Sequence, residues 1–409
     1  MAKPSSLFIQ IHALTSYPAS LLNRDDAGFA KRISFGGATR TRISSQCLKR
    51  HWRTFDGEGS LNEVGDLSLR SRITFEREIY KPLLEAGIAE PLASSAVRAI
   101  MEMVLGKSGK AKQAEEAKQA EDTESGMRTG QVTVLGRAEV AYLLGIAQEA
   151  CKATQDPKEM AKVIKEALGR EGAGNLKALA KSAGLDAALF GRFITGDVFA
   201  RGDAAIHVAH AMTVHEESTE SDYFSAVDDL LQDTDEAGSG HIGNAELTTG
   251  LYYTHVVVDV PLLVSNLEGC AQKDWATADR TLAAEVVNRL VALVAQVSPG
   301  AKKGSTAPYA YASLVMVESG KAQPCSLANA FLKPVNQRPD LLANTYKALG
   351  SHLAQLDQMY PKAAPLRRVI GMGDIQGLLA AASLEQEKGG LGQLSAWTGN
   401  QLLESTGKD

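Results

Sequence analysis

The sequence predicts an α+β fold in which a strand-bearing body is interrupted by a long helical insertion. Three observations lead there. Apolar alternation with a period of two marks strands at 7–14, at 247–260 and in YASLVMVES (311–319). Apolar residues recur at helix spacing in 44–56 and 274–297, between those strands. The block 58–190 carries helical patterning and no strand signal. The order strand, helix, insertion, strand, helix, strand suits a ferredoxin-like or RNA-recognition-type core with long excursions.

Each element follows from its residues. In LFIQIHAL, Ile9, Ile11 and Ala13 share one strand face, and Phe8, Gln10 and His12 share the other. SSQCLKRHWRTFD starts with Ser44 or Ser45 as a cap and repeats Leu48, Trp52 and Phe55 at helical intervals. Within the insertion, Leu67, Ile73, Ile79, Leu83 and Leu84 are the expected buried positions. Residues 106–130 are nearly devoid of large apolar side chains, which predicts a solvated loop or exposed helix. Residues 189–214 mix strand-like and helical character, and 215–245 form a long polar, acidic excursion. LTTGLYYTHVVVDV is the most convincing strand, and the tail beyond 326 reads as mostly helical.

Bulk properties exclude several classes. The 409 residues include 44% hydrophobic side chains, enough for a sizeable core, with no apolar run long enough to span a membrane. MAKPSSLFIQIHALTS does not read as a secretory leader. Cys47, Cys151, Cys270 and Cys325 lie far apart with no C-x-x-C pair, so a reducing cytoplasm fits best. The net charge of −5 hides an asymmetry. From Arg24 to Arg53, eight basic side chains stand against two acidic ones, a local charge of +6 on a remainder of −11. That is a focused anion site on an acidic body.

Within this segment, Gly36-Gly37 permits positive φ or close approach of the backbone to a ligand. Arg40 and Arg42 alternate, so an extended strand would put both guanidiniums on one face. Ser44-Ser45-Gln46 opens a helix whose backbone N–H groups suit phosphate, and Lys49 and Arg53 share a helical face. Fork-shaped arginines and point-charge lysines are phosphate-binding chemistry; the bland counterpart is a solvated basic face.

PGAKKGST (299–306) departs from a Walker A loop, with three residues between Gly300 and Gly304 and Ser305 where lysine is required. A basic loop touching phosphates through Lys302 and Lys303 is the better reading. His207, His210 and His215 lack the companions of a metal site and read as ordinary histidines, so neither metal nor cofactor is expected. Asp228-Asp229 would suit Mg²⁺-dependent phosphodiester cleavage, but adjacent acids on a helix point apart. In GRFITGDVFARGD, Arg192 and Phe193 near glycines suit contact with a single strand, while core packing accounts for Phe193 and Phe199 equally well.

At LNRDD, FGG and RISSQCLKR the chain closely resembles the backbone-subunit (CasC) family of the type I-E CRISPR surveillance complex, Cascade. The resemblance recurs in AIHVAHAMTVHE, DYFSAVDDL, AGSGHIGNAELTTGLYY, PGAKK, VMV and SLANAF, covering residues 7 to 331. It implies a right-hand shape with an RNA-recognition-like palm, a helical fingers insertion and a thumb excursion. On this sequence the palm falls at 1–57, 191–214 and 247–330, the fingers at 58–190, the thumb at 215–246, and a C-terminal helical region at 331–409. It implies a non-catalytic protein that polymerises along CRISPR RNA in a helical filament with other Cascade subunits. The guide is thereby presented to target DNA, with sequence read by base pairing.

Carried over by position, the resemblance puts Arg24, Lys31, Ser44, Gln46, Lys49 and Arg53 on guide phosphates, Lys302 and Lys303 near nucleic acid, and Phe193 against the RNA. Ala38 and Thr39 stand where relatives carry more basic residues after FGG. The alternatives are a metal-dependent ribonuclease like the backbone subunits of type III complexes, acting through Asp228 or Asp229, and a stand-alone RNA-recognition protein.

Overall fold

The computed structural model describes residues 7–117, 127–169, 184–192, 202–227, 239–361, 365–381 and 384–404. In chain order the strands and helices begin with β1 (Phe8–Ser20), β2 (Arg32–Phe35), β3 (Ala38–Ile43) and α1 (Ser45–Thr54). There follow β4 (Leu69–Ser71), α2 (Lys81–Glu85), α3 (Glu90–Ala117), β5 (Thr133–Leu135), α4 (Arg137–Ala153), α5 (Met160–Ala167) and α6 (Leu185–Phe190). Next come β6 (Ile206–Val208), β7 (Ala211–Thr213), β8 (Thr219–Val227), β9 (Ser239–Asp259), α7 (Val260–Glu268), α8 (Thr281–Gln296) and β10 (Leu314–Gly320). The chain closes with α9 (Leu341–Met359), β11 (Leu366–Gly371), α10 (Gln376–Ala381), β12 (Glu385–Gln386) and α11 (Gly390–Glu404).

The chain divides into two compact units. The first comprises Met1–Ser60, Ile206–Pro261 and Arg280–Asp409 and holds a large mixed sheet. Its strand order is β12-β11-β10-β1-β9-β7-β3-β2, with β6 and β8 also pairing to β9. All its ladders are antiparallel except β11–β12, so the sheet is mixed. β1 lies between β9 and β10, with Ile11 opposite both Val256 and Val317. A strand paired on both edges and covered on both faces must bury both halves of its alternation. One face of the sheet collects Leu14, Leu251, Tyr253, Leu314 and Met316 against Tyr346, Leu349 and Leu353 of α9 and Leu378 of α10. The opposite set, Ile9, Ile11 and Ala13, lies on the side where α8 packs against β1. Helix α8 buries Val286, Val287, Leu290, Val291 and Val294, and α11 packs on it in turn.

Gln10 and His12 of β1 are not left unpaired. His12 Nε2 donates to Glu318 at 3.2 Å, and Nδ1 is hydrogen-bonded to the Tyr253 hydroxyl at 2.8 Å. Gln10 donates to Glu318 at 2.9 Å and accepts from His255 Nε2 and the Cys325 backbone N–H. Arg367 of β11 closes the network, donating to Glu318 and to Asp357. Buried polar groups are tolerated at this density because each has a partner.

The second unit, Leu61–Ala205 with Leu262–Asp279, is mainly helical with the two-stranded β4–β5 ribbon. Its core joins Phe75, Ile79, Leu83, Leu92, Val97, Ile100, Leu143, Ala147, Met160 and Ile164. Ile79 and Leu83 are buried as the sequence pattern predicts, but Ile73 and Leu84 are exposed and Leu67 is half-buried. Leu84 sits about 100° around the helix from Leu83, on the side that faces solvent.

Other expectations need correction. The region 189–214 supplies strands β6 and β7, because Ile206–Val208 and Ala211–Thr213 pair with β9 and β3. The excursion after 215 is a paired ribbon: β8 runs antiparallel to the first half of β9, with residues 228–238 outside the description. The helix expected over 274–297 starts at Thr281. The tail is not only helical, since Val369 of β11 carries core contacts and extends the sheet beyond β10.

Candidate nucleic-acid interface

The basic segment folds in three steps within the first unit. Residues 23–31 form a tight turn. Arg24 pairs with Ala30, the Asp25 carboxylate accepts the Phe29 N–H at 2.9 Å, and Lys31 N–H donates to Asn23 O. Asp25 is thus spent on its own turn. The Asn23 side chain accepts the Ser44 N–H at 2.9 Å and ties the turn to the start of α1.

The β2–β3 hairpin follows, with Phe35 opposite Ala38 and Gly36-Gly37 as a two-residue turn. Both glycines have positive φ, +63° and +79°, as tight turns of this length demand. A Cβ on Gly36 would stand 1.5 Å from Leu332 O. The close approach foreseen here is, at Gly36, to the chain's own backbone, whereas a Cβ on Gly37 would meet nothing within 4 Å.

Helix α1 contains no acidic residue, and its inner face is Leu48 and Trp52. Gln46 and Arg50, four apart, are exposed, while Lys49 and Arg53 are half-buried. Ser44 is buried, and its hydroxyl accepts the Cys47 N–H at 3.3 Å as the N-cap. The Ser44 side chain thus serves the start of the helix, with its O–H still able to donate.

The fold brings distant cations to this helix. The 297–313 segment is anchored by Ala301 N–H to Leu21 O at 2.9 Å, and Lys303–Thr306 forms one helical turn. Burial lowers the His51 pKa, and the positive charges of Lys303 and Arg50 lower it further. Burial raises the Cys47 pKa, against the pull of Arg50 and Lys31. His210 is lowered by burial and then by Arg42 and Lys31; its Nδ1 lies 3.2 Å from the Arg42 guanidinium, an accepting geometry. Lys31, Arg42, Arg50 and Lys303 therefore act on one neighbourhood, although they span more than 270 residues of sequence. Next to it, Asp25, Asp26, Ala30, Lys31, Arg32 and Arg42 line a cleft of about 410 Å³. Arg32 is committed there to Glu217 and Glu246.

Two predicted contacts are structural instead. Arg40 is fully buried, its guanidinium donating to Thr213 O at 3.1 Å and Phe331 O at 2.8 Å, while Arg42 is half-buried and bonded to Arg32 O. The two arginines do not share an open face. In the second unit Arg192 is buried and donates to Glu139 at 2.6 and 2.8 Å. Glu139 also accepts the Gly136 N–H at 2.8 Å at the start of α4. An arginine so paired is a core ion pair, not an RNA contact.

Arg24 is exposed, Lys302 half-buried and Lys303 exposed. Phe193, Asp228 and Asp229 lie outside the described residues. Ala38 and Thr39 open β3 at the hairpin, where Thr39 O accepts from Glu217 N–H. Arg50 is exposed four residues from Gln46, a spacing that puts both on one face of α1.

His207, His210 and His215 sit on or beside strands, not on a helix. His215 is buried, donating from Nδ1 to Glu216 O and accepting the Leu251 N–H at Nε2. Among the described residues no three or more His, Cys, Asp or Glu side chains converge on a metal position. Nor, among them, is any helix long and apolar enough to cross a membrane.

Fold and site together define a mixed α/β protein whose large sheet carries an acid-free basic helix beside a basic loop, an arrangement suited to a polyanion. The chain belongs to the CT1975-like protein family, whose pattern matches residues 9–397. It is similar to a chain of a solved "CRISPR RNA-guided surveillance complex, pre-nicking", with 26% identity and a TM-score of 0.74. That match covers 96% of this chain and 100% of the other. A chain of a second "CRISPR RNA-guided surveillance complex" shares the fold at 22% identity and a TM-score of 0.64, covering 96% of this chain and 99% of that one. No curated protein matches the chain.

Proposed function

We propose that this protein is a non-catalytic backbone subunit of a type I-E CRISPR surveillance complex, holding guide-RNA phosphates on α1 and the Lys302–Lys303 loop. The observation that carries this reading is the approach of Lys31 and Lys303 to the acid-free helix that carries Arg50, with Arg42 beside Lys31 at His210. The similarity to chains of RNA-guided complexes supports the identity of the polyanion. The order β10-β1-β9-β7, with α1 following β1 and α8 preceding β10, supports a ferredoxin-like palm. In this reading the helical second unit is the fingers and the β8–β9 ribbon belongs to the thumb. Copies polymerise along the CRISPR RNA with other Cascade subunits in the cytoplasm, and the guide pairs with target DNA.

The contact set becomes Arg24, Lys31, Arg42, Gln46, Lys49, Arg50, Arg53, Lys302 and Lys303. Replacing Arg50 and Lys303 together by alanine is expected to lower the log–log salt slope of guide-RNA binding by about 1.4, at roughly 0.7 per lost contact on a single strand. An unchanged slope refutes the assignment. Site-specific, Mg²⁺-dependent cuts in target RNA that Asp229→Ala abolishes would overturn the non-catalytic reading.

A further inference from the structure

The segment joining α8 to β10 presents two aromatic rings to solvent. Tyr309 is 72% exposed and Tyr311 is 66% exposed. A single exposed tyrosine needs no explanation. These two are spaced for one side of an extended backbone, and the residues between and around them are pinned. Pro308 is buried. Ala310 is held at both its N–H and its carbonyl by the Ser298 hydroxyl, each at 3.0 Å. Ala312 N–H donates to Ala295 O at 2.8 Å, and Ser313 N–H to Leu14 O at 2.7 Å. The inward alanines are bonded to the body of the unit, so the outward tyrosines stand on a fixed strand of chain.

Their electrostatic setting narrows the partner. Residues 298–313 contain Lys302 and Lys303 and no acidic residue. Ala307 N–H bonds to Lys303 O, and Tyr309 N–H to Ala307 O, which places the rings directly after the lysine turn. Lys303 in turn acts on His51 of α1 together with Arg50. Exposed aromatics beside cations are the chemistry that holds unpaired nucleobases, since every base offers a π-face whatever its sequence.

We propose that Tyr309 and Tyr311 form a stacking platform for unpaired bases of the strand whose phosphates lie on Lys302, Lys303 and Arg50. This deepens the proposed function and rests on it. The platform fixes base orientation without reading sequence.

The test uses the full chain and two labelled RNA oligonucleotides of equal length, one ordinary and one abasic, followed by fluorescence anisotropy across a salt series. Wild type is expected to favour the ordinary strand. Tyr309→Ala with Tyr311→Ala should cut that affinity about tenfold per ring, leaving abasic binding and the salt slope unchanged. Tyr309→Phe with Tyr311→Phe should retain the preference. An alanine variant that keeps the wild-type preference overturns the platform, as does one that changes only self-association by sedimentation, which marks the rings as a protein contact. Loss of the platform alone leaves abasic binding sensitive to Arg50→Ala and Lys303→Ala. If abasic binding is absent or insensitive to both, the phosphate assignment itself fails.

Discussion

Replacing Arg40 by alanine separates a structural arginine from an RNA-binding one. The guanidinium is fully buried on β3, bonded to Thr213 O and Phe331 O, with its Cζ 5.9 Å from the Phe35 ring centre. Burial lowers its pKa, and Glu216 partly opposes this. It joins three segments: β3, the end of β7 and the turn at Phe331. Each charge-assisted hydrogen bond contributes about 1.5–3 kcal/mol, and removing the side chain also strands two buried carbonyls. Relief of the buried charge offsets several kcal/mol of this, so the net loss works out at about 2–4 kcal/mol. Arg40→Lys should fall between, because one compact ammonium replaces a planar fork that spans two acceptors. The assay is urea unfolding followed by intrinsic fluorescence, paired with the salt dependence of RNA binding. Arg40→Ala should lower the urea midpoint and leave the salt slope of the folded protein unchanged; Lys303→Ala should do the reverse. An Arg40→Ala protein of wild-type stability, with a slope reduced by about 0.7, would refute the reasoning.

Two further outcomes follow from buried charge. Arg192→Ala leaves Glu139 buried without its cation and should destabilise the helical unit by about 3–5 kcal/mol, with Arg192→Met plus Glu139→Gln recovering much of the loss. Limited proteolysis and thermal melts check this, and a single variant as stable as the double would contradict it. Stability should also fall on acidification. Burial and the adjacent His12 lower the His255 pKa to about 3, so between the ordinary His value of 6.5 and 3 the unfolded chain binds a proton that the folded chain does not. Glu318 acts in the same direction. Burial would raise it, but His12 and Arg367 hold it at about 2, and the stability it contributes above 4.5 is lost as pH falls toward 2. At pH 5 the His255 contribution is a loss of about 2 kcal/mol relative to neutral pH. His255→Gln should flatten the Tm profile between pH 6.5 and 4.5; a parallel profile would count against the network.

Short-range patterns in the chain encode part of this fold. Period-two alternation located β1, β9 and β10, helical spacing located α1 and the body of α8, and charge counting found the basic segment from Arg24 to Arg53. These signals survive because alternation, capping and net charge are properties of neighbouring residues. Tertiary structure decided the rest, because burial and pairing depend on residues far away in the chain. Arg40 and Arg42 are equivalent by spacing, yet Phe331 and Thr213 draw one into the core while the other stays half-exposed. Arg192 looked like a strand contact until Glu139, 53 positions earlier, claimed it. β11 had too little apolar alternation to declare itself, and it is a strand because β10 offers a free edge. Above all, the basic face is larger and more specific than the segment that announced it. Lys303 reaches the neighbourhood of α1 only because Ala301 bonds to Leu21 at the end of β1, a long-range contact no local pattern contains.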